Sequence, residues 1–197
     1  MKTIFIDPFK KYQENTLFII GTTSLILGSL LAYLLFARFD GVLDLHFVPH
    51  ITIWQPLLDN IINTSVLTGI LFMIAKYINK KTRIIDILNS VLIARIPYYI
   101  LPLFNINNYI ADAGNELANA IIPNSAIKPE DISIAALLII IFFAILTITV
   151  LIGYITLLYN GYKVASHAKG AKPIILFCIA IIAAEIVSKM LITAIPY

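Results

Sequence analysis

Charge is scarce in this chain, and cysteine scarcer. Only 13% of the 197 residues are Asp, Glu, Lys or Arg, and Cys178 is the single cysteine. One thiol excludes an internal disulfide and a cysteine-rich metal cluster. The net charge of +3 comes without the basic stripe and interleaved aromatics that nucleic-acid binding needs, so no nucleic-acid partner is expected. His-Glu-x-x-His, Gly-x-Ser-x-Gly and a phosphate-cradling glycine loop are all missing. No enzyme, catalytic residue or cofactor is therefore expected. Asn63-Thr64-Ser65 fits the glycosylation pattern but falls inside an apolar segment and is discounted.

What the chain does have is apolar sequence: 60% of its residues are hydrophobic, and the mean hydropathy is +0.92. Five long apolar runs, residues 17–36, 57–78, 84–104, 132–158 and 173–195, are separated by short charged clusters. Each approaches the roughly 20 helical residues that cross a hydrocarbon core about 30 Å thick. The expected fold is all-α: a polytopic membrane protein, a five-transmembrane-helix bundle forming one domain over residues 1–197. The first run is too long for the apolar region of a cleaved signal and no Ala-x-Ala site follows, so it is read as a retained span. Residues 1–15, with Lys10 and Lys11 beside Phe5, Phe9 and Tyr12, suit a short interfacial segment.

Orientation follows from Lys and Arg in the short loops. One side carries Lys2, Lys10, Lys11, Lys76, Lys80, Lys81, Arg83, Lys163, Lys169 and Lys172; the other carries Arg38 and Lys128. Asp40, Asp44, Asp59, Asp112, Glu116, Glu130 and Asp131 fall on the poorly basic side. This predicts a cytoplasmic N-terminus and an exterior C-terminus. Residues 37–56 and 105–131 are read as long outer loops, with apolar stretches at 48–54 and 117–122 that fold back on the membrane surface. Trp54 suits an interfacial aromatic belt. Residues 79–83 make a tight hairpin. The charge-free stretch 132–162 is about 46 Å long as a helix and outruns the bilayer, so it tilts or projects. Gly170 and Pro173 read as a helix stop and a helix start.

Three charges lie within apolar runs: Arg95 in the third, Glu185 and Lys189 in the fifth. A charge near the bilayer centre costs about 2.5–3.5 kcal/mol on insertion scales, so each should face protein and find a partner. Counted from the same side, Arg95 and Glu185 lie at similar depth, roughly 17 Å in. The expectation is an Arg95–Glu185 ion pair, with Lys189 one turn further on the same face. The cluster reads either as a packing clamp or as a polar pathway for an ion, proton or anionic substrate. Pro97 and Pro102 remove backbone donors and should kink the third helix.

Small residues at four-residue spacing, Ser24, Gly28 and Ala32 in the first run and Ala180, Ala184 and Ser188 in the fifth, let backbones approach closely. They pack helices within one chain or between two. His46 and His50, with Asp40 and Asp44 nearby, form the one metal-like constellation. Pro49 breaks the helix that would align the two imidazoles, so an ordinary polar loop is preferred and no metal is expected. Cys178 is expected as a small buried side chain, and His167 as a solvated one.

Asp7-Pro8-Phe9-Lys10-Lys11-Tyr12, residues 89–104 around Arg95-Ile96-Pro97-Tyr98, and residues 157–190 resemble the bacterial branch of the Yip domain family. Eukaryotic members of that family interact with Ypt/Rab GTPases, but carry a long N-terminal region and an Asp-Leu-Tyr-Gly-Pro motif that this chain lacks. Binding of a Rab-type GTPase is therefore not carried over. The resemblance implies a multi-pass membrane protein without assigned catalytic residues, placed in the cytoplasmic (inner) membrane of a bacterium. The expected function is non-enzymatic, through helix–helix contacts with itself or other membrane proteins in the lipid bilayer, in membrane organisation or assembly. The alternative is a small transporter or transporter subunit using the midplane charges.

Overall fold

The computed structural model describes residues 8–121 and 132–195. Lys2, Phe5, Asp7, Ile122, Lys128, Glu130, Asp131 and Tyr197 lie outside the described residues. After a 3-10 turn at Pro8–Lys10, α1 covers Glu14–Leu34, its first turn carrying an acidic side chain that suits the positive helix end. Two short strands, β1 (Ala37–Arg38) and β2 (His46–Phe47), pair antiparallel, Ala37 opposite Phe47. Helix α2 runs Trp54–Ile78, and after a tight turn α3 runs Ile84–Ala94. The turn is held by Thr82, whose carbonyl accepts from Lys76 Nζ at 3.2 Å.

At Arg95 the third helix changes character. Pro97 has no N–H to continue the α-helical ladder, and the chain tightens into a 3-10 helix over Ile96–Asn108. The Tyr98 N–H donates to the Arg95 carbonyl at 2.9 Å. Pro102 sits inside this segment, and the true bend comes later, at Asn105–Asn107, where Asn107 has φ 55°. The Asn105 side chain pins the bend, donating to Leu35 O and accepting from Ala111 N. Helix α4 follows at Tyr109–Ile121, so most of the expected outer loop 105–131 that is described is helical.

Helix α5 spans Ile134–Ser166, 33 residues, capped by Ser133 Oγ accepting from Ala136 N. His167 (φ 53°) ends it, and Gly170 (φ 83°) opens onto α6, Ala171–Ala194. Gly170 adopts left-handed backbone cheaply, whereas His167 does so at some cost.

Among the described residues, five helical segments are long and apolar enough to cross a membrane: Glu14–Leu34, Trp54–Ile78, the composite Ile84–Ala120, Ile134–Ser166 and Ala171–Ala194. Helix α6 lies along α2, while α3 packs between α1 and α5. Leu67, Leu71, Ile87, Val91, Tyr154, Leu158 and Phe177 form the main core. One expectation is corrected here. Cys178 is exposed, because it falls on the outward face of α6 between the inward Phe177 and Ala180.

The small-residue stripes face inward unevenly. Gly28 and Ala32 are buried and Ser24 is half-buried, and a Cβ at Gly28 would lie 2.4 Å from the Tyr99 ring. Ala180, Ala184 and Ser188 are all buried along α6.

Candidate functional site: a buried polar clamp

The segment between β1 and β2 does not lie flat on the outer surface. Phe39 and Val42 are fully buried, and the loop enters the bundle between α2, the end of α3 and α6. What draws it in is a polar stripe on α2. Asp59, Asn60, Asn63 and Thr64 are buried on one face of an otherwise apolar helix, and buried polar groups need partners. Asn63 Nδ2 donates to Phe39 O at 2.7 Å, although its Oδ1 finds no donor. Arg38 grips Asp59 through two parallel bonds, Nε to Oδ2 at 3.0 Å and Nη2 to Oδ1 at 2.8 Å, the strong two-point geometry of guanidinium and carboxylate.

Arg95 occupies the centre at 0% exposure. Its Nη2 donates to Asn60 Oδ1 at 2.9 Å, its Nη1 to Val42 O at 3.3 Å, and its Nε more weakly to Tyr99 Oη at 3.4 Å. The rings of Phe39, Tyr98 and Tyr99 each lie 5.8 Å from its guanidinium carbon, where ring quadrupoles attract a desolvated cation. Behind Asn60, Nδ2 donates to Ser29 Oγ at 2.9 Å, and Ser29 donates in turn to Leu25 O.

Glu185 approaches the same loop from α6. Its Oε2 accepts the Leu43 N–H at 2.7 Å, and its Oε1 lies 3.3 Å from Lys189 Nζ. Lys189 also pairs with Asp44 at 2.7 Å. Gly41 makes this approach possible, since a Cβ there would lie 2.4 Å from Glu185 Oε1.

The expected Arg95–Glu185 ion pair is therefore corrected: among the described residues, no ion pair within 4 Å joins them. A single peptide group stands between them. The carbonyl of Val42 faces the guanidinium, and the N–H of the next residue, Leu43, faces the carboxylate. The peptide dipole is thus aligned between a cation and an anion, as a coulombic bridge requires. Equal depth in the two helices brings both side chains to the same loop, but depth alone does not reveal the loop that fills the gap. Lys189 becomes the charged partner of Glu185.

Asp44 and Asn60 are the partners that sequence reasoning misses, and Asn60 had a signal. Asp59, Asn60, Asn63, Thr64 and Thr68 recur at helical spacing within the second apolar run, a polar face that water does not meet. Of the metal-like constellation, His46 pairs with Asp40 through Nδ1 and His50 is exposed. Among the described residues no group of three or more His, Cys, Asp or Glu side chains could hold a metal ion. The rings of Tyr98 and Tyr154 stack at 5.9 Å. Both hydroxyls are buried; that of Tyr154 lies in the field of Arg95 but outside good hydrogen-bonding geometry.

Chemically, the arrangement ties five chain segments together, with most of its donors and acceptors used against one another. Compared with models of known families, with curated proteins and with solved structures, the chain finds no match.

Proposed function

We propose that this is a non-enzymatic multi-pass membrane protein that acts through helix–helix contacts, in membrane organisation or as an assembly partner. The single observation that carries this reading is the burial of Arg95. A cation at 0% exposure, bonded to Asn60, Val42 and Tyr99, serves packing. A pathway for ions or protons needs a charge that water reaches. The long α5 exposes Leu138, Ile141, Phe142, Ile145, Ile148 and Ile152 along its length, which supplies apolar surface for lipid or a second helix.

The reading includes a cytoplasmic N-terminus and an exterior C-terminus, supported by the uneven loop charges, and, on the resemblance alone, residence in a bacterial cytoplasmic membrane. It also includes kinship with the bacterial Yip branch, on the motif around Arg95 and Pro97. Reporter fusions at Asn79, Lys128 and Tyr197 are expected to read cytoplasmic, exterior and exterior; a cytoplasmic reading at Lys128 overturns the topology.

Clamp and pathway separate at Ser188, which is buried on the same helix as Glu185. In a Cys178→Ser background, Ser188→Cys should resist a membrane-impermeant maleimide in intact cells. Rapid labelling at that position would favour a wet path and sink the packing reading.

A further inference from the structure

A second polar site lies at the opposite end of the bundle, among the start of α1, the start of α3 and the end of α5. It is a cavity of about 500 Å³, with Phe9, Tyr12 and Leu17 among its lining residues. Its closure depends on Gly161. A Cβ there would lie 2.5 Å from the Ser90 side chain, so glycine lets α5 close against α3 at the cavity wall.

The charges around it are unequal. Arg83 pairs with Glu14 and, at 2.7 Å, with Asp86. These bonds, to Asp86 first and Glu14 second, hold its guanidinium above its ordinary pKa. One guanidinium between two carboxylates leaves this corner with one net negative charge. Lys81 lines the cavity too, and among the described residues it has no carboxylate within 4 Å. Asn89 lines the same cavity at 3% exposure. Its Nδ2 donates to Glu14 O at 3.1 Å, which fixes the amide, while its Oδ1 has no hydrogen-bond partner. A buried acceptor without a donor costs free energy that an incoming N–H would recover. Asn63 Oδ1 is likewise without a donor, but a loop backbone is packed against that amide, whereas Asn89, its Oδ1 also buried, is one of the residues that line the cavity.

We propose that this cavity binds an aminoalkyl phosphate, the chemistry of a phosphoethanolamine headgroup. The ammonium goes to the corner of Glu14, Asp86 and Asn89 Oδ1, and the phosphate to Lys81. A lining with an anionic corner, a cation outside it and an unused acceptor matches a zwitterion that has N–H donors. It matches a purely anionic headgroup less well, because Glu14 and Asp86 repel it. The ligand chemistry is independent of the membrane reading; only a lipid source for it rests on that reading.

The test uses the full chain in a mild maltoside detergent, observed by native mass spectrometry. Phosphatidylethanolamine, phosphatidylcholine and phosphatidylglycerol with identical acyl chains are added in turn. Phosphatidylethanolamine adducts should persist at about tenfold lower lipid concentration than phosphatidylcholine, whose trimethylammonium has no N–H to donate. Asn89→Leu should bring the two lipids together. Should that variant fail to fold, the surface change Lys81→Ala should weaken phosphatidylethanolamine retention several-fold in an otherwise intact protein. Equal retention of all three lipids by the unaltered chain, preference for phosphatidylglycerol, or no effect of Lys81→Ala overturns the proposal. Soluble O-phosphoethanolamine, titrated against the same sample, identifies the source. Competition at lipid-like concentrations points to a free metabolite, and competition only at far higher ones points to the lipid; both outcomes support the chemistry. Alkaline carbonate extraction of native membranes tests membrane residence separately, so its failure is not confused with failure of the site.

Discussion

The two ends of this bundle treat their polar groups in opposite ways. At the acidic end, a loop is threaded inward until Arg95, Asn60, Glu185 and Lys189 are matched to partners within the chain. At the basic end, the helices stand apart around an open cavity, and Asn89 keeps an unused acceptor. The first arrangement resembles a protein interior, the second a binding site. The difference teaches that a buried charge and an accessible one meet different surroundings: the most deeply buried cation among the described residues is bonded within the chain, while the exposed Lys81 borders the open cavity.

Substitutions at the clamp should be the most damaging. Arg95→Leu leaves Asn60 Oδ1 and Val42 O without their donor and is expected to cost about 3–5 kcal/mol in reversible unfolding from detergent micelles. Adding Glu185→Leu should not restore the loss, because the two side chains meet through a peptide and not directly. Full recovery in the double variant would mean that the loop does not stand between them.

Glu185→Leu alone should cost less, about 1–3 kcal/mol, since it strands the Leu43 N–H while Lys189 keeps Asp44. Gly41→Ala should cost a similar amount by pushing that carboxylate off the loop, and the two changes together should add to less than their sum. Simple additivity would separate Gly41 from the clamp.

Gly28→Ala probes close packing without polarity. Its new methyl group meets the Tyr99 ring, so about 1–3 kcal/mol of overpacking is expected. A neutral result would show that Tyr99 moves freely, which would loosen one wall of the Arg95 site. The smallest effect is expected at Tyr154→Phe, which removes a buried hydroxyl that makes no good hydrogen bond. Its stability should change by less than about 1 kcal/mol. A large loss would show that this hydroxyl holds Arg95 after all.

Much of the architecture can be read from hydropathy alone. The first, second and fifth runs match α1, α2 and α6 to within three residues at either end, because an apolar helix stops where charge begins. The third and fourth runs misplace their ends for different reasons. The fourth stops at residue 158, although the charge-free stretch 132–162 already reads as one long helix, and α5 continues just past it to Ser166, where its polar residues still pack. The third stops at 104, because Asn105, Asn107 and Asn108 look like a loop; they make one turn, and the chain resumes as α4. In the clamp, Arg95, Glu185 and Lys189 are visible as charges in apolar surroundings. Their true connection is hidden because residues 37–56 have loop-like composition. Phe39 and Val42 are too few and too irregular to announce that the segment is buried.

The bridging peptide also sets an order of assembly. Leu43 and Glu185 are separated by 142 residues, so this contact has to wait for α6 to leave the ribosome and enter the bundle. The links from Arg95 to Asn60 and from Asn60 to Ser29 need only the first three. A nascent chain lacking α6 can therefore shelter its arginine yet leave the outer loop unlatched at one side, and arrival of Glu185 is what completes the seal.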